Sequence, residues 1–193
     1  MPSDAGQSTG PAAQWKPVMH SRLASMLFVI LALAAAAPPA LAQNKAKPKV
    51  LGNFGDWQAL TYKEADEDVC YVAGLPKKAD GHQIKSGEAN ILVTHWPAKK
   101  NLGVISVTAG YEYKKDSEVQ LIIGSEKFAL FTQGKTAWAR DGGDAKIVEA
   151  MKVGKELVAQ GLTGKDVKTS DTYSLNGFAK AYEAASKACG VKG

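Results

Sequence analysis

Three observations predict a mainly β, α+β fold: an antiparallel β-sandwich or barrel-like sheet with one short helix and a C-terminal closing helix. Alternating apolar and polar runs recur between Phe54 and Arg140, joined by links as short as Gly124-Ser125-Glu126 and Gln133-Gly134-Lys135, which favour hairpins. From Leu175 the period changes. Leu175, Phe178, Tyr182, Ala185 and Cys189 recur at three- and four-residue steps and line one face of a helix. Cys189 thus ends an inward-facing stripe, and the only other cysteine, Cys70, lies in an apolar run far upstream.

Residues 1–42 read as a signal peptide. Leu23 to Ala37 is an apolar run behind Arg22, followed by Pro38, Pro39 and the small-x-small triplet Ala40-Leu41-Ala42, which places cleavage between Ala42 and Gln43. The competing role, a membrane anchor, needs about 20 apolar residues, and this run is shorter and stops at prolines. No cysteine follows the cleavage point, which argues against a lipid anchor. A signal starting at Met19 would be compact by itself, so the true start codon is open. The expected location is therefore the periplasm, or the outer surface after secretion, with no transmembrane anchor left. Export places both cysteines where thiols oxidise, and a Cys70–Cys189 disulfide would close nearly the whole mature chain. A reactive thiol pair usually carries Cys-x-x-Cys spacing, which is absent.

Along the mature chain, Gln43 to Asn53 reads as a flexible leader to one domain over 54–193. A first strand is expected from Phe54 to Tyr62. Glu64 to Asp68 then forms an acidic turn into Cys70 to Ala73. Lys77 to Glu88 is polar and holds His82. Asn90 to Trp96 alternates, with Ile91, Val93 and His95 on one face and Leu92, Thr94 and Trp96 on the other. Val104 to Tyr113 carries the clearest period of two, and Val119–Ile123, Lys127–Thr132 and Thr136–Arg140 continue it as a meander. Asp144 is placed to cap a short helix with Ile147, Val148 and Met151 inward and Gly154 at its end. Lys155 to Gln160 fits strand or helix, and Val167 to Tyr173 is the expected last strand. Ser174 then caps the closing helix, which opens at Leu175 and stops before Gly190.

Reaction chemistry is sparse. No serine sits in Gly-x-Ser-x-Gly, and Gly164-Lys165 lacks both the earlier glycine and the following hydroxyl of a phosphate loop. The acidic turn lacks the spaced ligands and glycine of an EF-hand, so a solvated hairpin turn is preferred to a calcium site. After the signal only His82 and His95 offer imidazole, without metal-binding spacing, and His95 fits a satisfied sheet residue. Asp56, Asp171 and Glu112 are conceivable acid–base partners if two of them meet. Trp57, Trp96, Tyr111, Tyr113 and Trp138 suit either a sandwich core or a ligand cavity, core being favoured. No catalytic, cofactor-binding or metal-ligating residue is assigned, and no cofactor.

The charge is net positive, +5, and Arg140 is the only arginine beyond the signal. Lys77-Lys78, Lys99-Lys100 and Lys114-Lys115 fall in expected loops. They suit either an electropositive rim for anionic envelope or host-surface molecules, or plain loop solvation, and solvation is the simpler reading. Without an arginine and aromatic reading surface, nucleic acid is not an expected partner.

Several pieces, taken in order, resemble the invasion-associated locus B family of exported bacterial proteins. They are Phe54-Gly55-Asp56-Trp57, Cys70-Tyr71, Gly110-Tyr111-Glu112-Tyr113, Phe128 to Phe131 with Ala137-Trp138, Ala150-Met151-Lys152, and Asp171 to Leu175 with Gly177-Phe178. The chain departs from that pattern before the last strand, where Thr163, Lys165, Asp166 and Val167 replace a Ser-x-Arg-Gly-Thr turn. The resemblance implies a small periplasmic or surface-associated β-rich domain linked to virulence, acting in host-cell interaction or envelope maintenance, with no catalytic residues to carry over. A small-ligand or lipid-binding β-barrel is the second expectation, its sign being a continuous aromatic-lined cavity. A hydrolase is the third and would need two carboxylates or a His–carboxylate pair converging in a cleft.

Overall fold

The computed structural model describes residues 47–83, 87–140 and 142–193. The signal segment, the cleavage point between Ala42 and Gln43 and the start of the leader lie outside the described residues. Among the described residues eleven strands form one antiparallel sheet. In chain order they are β1 (Lys49–Phe54), β2 (Trp57–Glu64), β3 (Glu67–Gly74), β4 (Lys78–Asp80), β5 (Ala89–Trp96), β6 (Asn101–Ala109), β7 (Glu118–Ile123), β8 (Glu126–Gln133), β9 (Thr136–Ala139), β10 (Glu156–Leu162) and β11 (Lys168–Ser174). Helix α1 (Asp144–Val153) precedes β10 and α2 (Phe178–Ala188) follows β11.

The strand order is β1-β2-β3-β5-β6-β9-β8-β7-β10-β11-β4. Sequential neighbours β3 and β4 therefore stand third and last. In a flat sheet eight inter-strand spacings would separate them by about 38 Å. The link from Gly74 to Lys78 reaches at most about 15 Å. The sheet must roll until its two ends meet, and they do: Lys77 N–H donates to Thr172 O at 2.7 Å, Asp56 N–H to Asn176 O at 3.0 Å, and the Trp57 indole N–H to Ser174 O at 2.9 Å.

Rolling gives the sheet an inside, and alternate residues fill it. Trp57, Val72, Ile91, Val93, Ile105 and Val107 from one half meet Val119, Leu121, Leu130, Leu157 and Tyr173 from the other. Helix α2 lies in the same interior against β1, β2 and β3, with the Phe178 ring set edge-on to Trp57 at 4.8 Å. Helix α1 adds Ile147 and Met151 to that core. The Asp144 carboxylate accepts the Ile105 N–H at 2.7 Å, so it ties α1 to β6 as the first helical residue, while Gly143 stands at the cap position.

Several expectations need correction. Lys49–Phe54 is an edge strand, where the sequence reading has a leader, because its ladder to β2 continues as far as Lys49 opposite Thr61. The expected first strand is split by a turn at Gly55-Asp56. Strand β4 falls in the polar stretch read as irregular, held by pairing with β11. Strand β6 ends at Ala109 because Gly110 has φ +75, so Tyr111 and Tyr113 leave the strand. The ambiguous segment is strand β10, in register with β11 from Glu156 opposite Ser174.

That same ladder keeps Ser174 in the strand, so it does not cap α2. The helix starts at Phe178 behind Gly177, whose φ is +91 and where a Cβ would collide with the Phe54 carbonyl oxygen. Only glycine fits this crossing. The inward stripe is as expected, and Gly190 follows the helix with φ +62. The acidic turn is a hairpin, with Ala65 and Asp66 both at positive φ.

Cys70 on β3 and Cys189 at the end of α2 form a disulfide spanning 119 residues. Loop-closure entropy assigns about 4 to 5 kcal/mol to a link of that length. Replacing both cysteines with alanine is expected to lower unfolding stability by about 4 kcal/mol in urea titrations. A loss below about 1 kcal/mol would show that the link constrains the unfolded chain far less than its length implies.

Candidate functional site

His82 and His95 are both tied into the fold, in different ways. His95 sits on the inner face of β5 and is fully buried. Gly103 N–H donates to its Nδ1 at 3.1 Å, which leaves the proton on Nε2, and Nε2 donates to Ser186 Oγ at 3.0 Å. The ring is neutral and satisfied on both sides, joining β5, β6 and α2. Burial lowers its pKa from 6.5 to about 4. The expectation of a satisfied sheet histidine describes it.

His82 lies just after β4 and turns inward beneath it. Its Nε2 meets Asp171 Oδ1 on β11 at 2.6 Å, with the side chains 8% and 3% exposed. The Tyr111 ring packs edge-on to the imidazole at 4.7 Å, and Tyr111 OH bonds Thr169 Oγ1 at 2.6 Å. Tyr113 packs on Tyr111 at 5.2 Å. Burial holds the Asp171 carboxyl above its ordinary range, opposed by the His82 hydrogen bond. Burial also pushes the Tyr113 and Tyr173 phenols far above theirs. Here is the His–carboxylate pair that acid–base chemistry requires, assembled from residues 89 positions apart.

Its geometry defines what it can do. A general base must reach a substrate proton at hydrogen-bond distance. Nε2 is occupied by Asp171, and among the described residues Nδ1 is buried without a partner and without accessible surface. A groove of about 390 Å³ is lined by His82 with Leu75–Ala79, Gly87 and Ala89, and the Nδ1 atom has no surface open to it. What the pair does is pin β4, a strand of three residues, to β11. Asp56 pairs with Lys77 at 2.6 Å, and Glu112 does not join Asp171.

The five aromatic candidates do not line one cavity. Trp57 is core, Tyr111 and Tyr113 flank the His82 pin, and Trp96 and Trp138 lie on the convex face of the sheet. The lysine doublets are largely compensated: Lys77, Lys78, Lys99 and Lys114 pair with Asp56, Asp80, Glu64 and Asp166. Surface pairs of this kind contribute little to stability, but they cancel much of an electropositive rim. The acidic turn is likewise engaged, with Lys63 on Asp68 at 3.1 Å and Lys99 on Glu64 at 3.3 Å. Among the described residues no three His, Cys, Asp or Glu side chains converge as a metal cage.

Fold and site together define a small, disulfide-closed, rolled β-sheet domain whose buried ionisable groups fasten its elements to one another. The chain belongs to the invasion associated locus B (IalB) family, whose model matches residues 57–186. Its fold is shared with the crystal structure of invasion associated protein B from Bartonella henselae, at 14% identity and a TM-score of 0.51, over 72% of this chain and 96% of that one. Among curated proteins none matches the chain at a significant level.

Two outcomes follow from the buried pairs. The His95 pKa is depressed in the folded chain, so the unfolded chain takes up a proton first as pH falls. Its stabilising contribution is complete above pH 6.5 and is lost by about pH 4, a decline of about 3 kcal/mol. Thermal unfolding across that window should show it, and His95→Gln should flatten the slope. An unchanged slope would mean that other groups set the acid sensitivity. Asp171→Ala leaves a buried imidazole without its partner and is expected to cost about 3 to 5 kcal/mol in chemical unfolding.

Proposed function

We propose that this chain is an exported, non-enzymatic envelope protein, periplasmic or attached to the outer surface, that works by presenting a rigid β-surface to another molecule. The observation that carries this reading is the disulfide between Cys70 and Cys189, which uses both thiols and holds the last helix inside the sheet. Such a bond persists in an oxidising compartment, in keeping with a signal peptide ending at Ala42 and a mature chain beginning at Gln43. The domain over 54–193 is then the whole functional unit, with β1 as the edge strand leading into it. Membership of the invasion-associated family supports a role at the host–bacterium boundary or in maintaining the envelope.

The sealed geometry of His82 and Asp171 supports binding over catalysis. The interior supports it as well: helix α2 and the side chains of both sheet halves occupy the space that a lipid-binding barrel would keep for its ligand.

Cell fractionation of the native bacterium tests the proposal. The protein is expected in the periplasmic or surface fraction, with an N-terminus at Gln43 by mass spectrometry and no thiol reactive to alkylation before reduction. Protease treatment of intact cells separates a surface location from a periplasmic one. Cytoplasmic protein that keeps residues 1–42 and two free thiols would overturn the proposal.

A further inference from the structure

Both helices pack on the concave side of the rolled sheet, and among the described residues only the single turn Pro97–Lys99, whose Lys99 reaches Glu64 at 3.3 Å, borders the convex side of β1, β2, β3, β5, β6 and β9. The registers define what that side presents. Val50, Leu60, Tyr71, Thr94 and Val104 stand opposite one another across five strands. The next row is Asn53, Gln58, Ala73, Leu92, Ser106 and Trp138. Tyr62 opposes Val69 in a third, its ring edge-on to Tyr71 at 6.0 Å. None of these residues is charged. Tyrosine and tryptophan with few charges is the composition of the centre of a protein interface, whereas a solvated antiparallel face normally alternates to polar.

We propose that this convex face packs against the same face of a second copy, forming a two-fold symmetric sandwich of two sheets. Charge supports a like partner, and extent limits the strength of the contact. Six strands at about 4.8 Å, each offering about five residues at about 3.3 Å, give a face of roughly 29 by 17 Å, or about 500 Å² in projection. Leu60, Val69, Thr94 and Ser106 are covered by their larger neighbours, and a face of this size lies at the low end for specific interfaces, which suits a weak, concentration-dependent dimer. Val50 at its edge is 46% exposed.

The rim is self-complementary. Asp66 in the β2–β3 turn and Glu67 at the start of β3 mark one corner of the face and have no ion pair among the described residues. Lys135, in the β8–β9 turn, marks the opposite corner and is equally without a pair. A two-fold axis lying in the face and perpendicular to that diagonal sets each acidic corner over the lysine corner of the other copy. Such an isologous contact closes on itself as a dimer.

Sedimentation velocity on the oxidised mature chain tests this across a wide concentration range. A monomer–dimer equilibrium is expected. Asp66→Lys with Glu67→Lys should weaken it by about tenfold or more, and adding Lys135→Glu should restore it. These three residues sit in or next to exposed turns, so the variants are readable even if a substitution on the face itself, such as Tyr71→Lys, fails to fold. A monomer at every concentration overturns the proposal and leaves the face to lipid or to an unlike protein. A dimer indifferent to the charge reversals overturns this interface.

Discussion

The short link between β3 and β4 is the constraint on which the architecture depends. Four peptide steps cannot span the width of a flat eleven-stranded sheet, so the chain curls and acquires an interior. Everything else follows from having that interior. Inner-face residues have somewhere to go, α2 has a groove to occupy, and Gly177 can cross over Phe54 only because the two ends of the sheet have come together. Strand β4 matters out of proportion to its three residues, since it is the contact that holds the roll shut at β11.

Polar groups inside the roll act as fasteners. His95 joins two strands to α2 through both ring nitrogens, and Asp171 holds the segment that follows β4 through His82. Buried groups of this kind stabilise weakly compared with a well-packed apolar substitute, but once present they are costly to break singly. They also set register, because a strand shifted by one residue would turn His95 or Asp171 to the wrong face. A His–carboxylate pair invites a catalytic reading, and here its Nδ1 is buried away from solvent.

Much of the fold was legible in the sequence, for identifiable reasons. Period-two runs marked β5 and β6, and the stripe from Phe178 to Cys189 marked the buried side of α2, because one-sided burial imposes those periods directly. What could not be read depended on long-range pairing. The edge strand at Lys49 and the three residues of β4 have no strong pattern of their own and exist because β2 and β11 offer them partners. Ser174 looked like a helix cap by type and spacing, and the ladder to Glu156 claimed it first. The meeting of His82 with Asp171 had no local signal, since the roll of the sheet alone brings them within 2.6 Å.

The disulfide has a mechanical meaning distinct from its thermodynamic one. It joins the third strand to the residue that caps the C-terminal end of the closing helix. Tension applied between the two termini therefore passes from β3 through the sulfur bridge to the C-terminal tail, and the residues between Cys70 and Cys189 bear none of it. Only β1, β2 and the beginning of β3 can be peeled away by such a pull. A domain tethered at the envelope by one end and held by a partner at the other would keep most of its sheet out of the load path, inside the loop that the sulfur bridge closes.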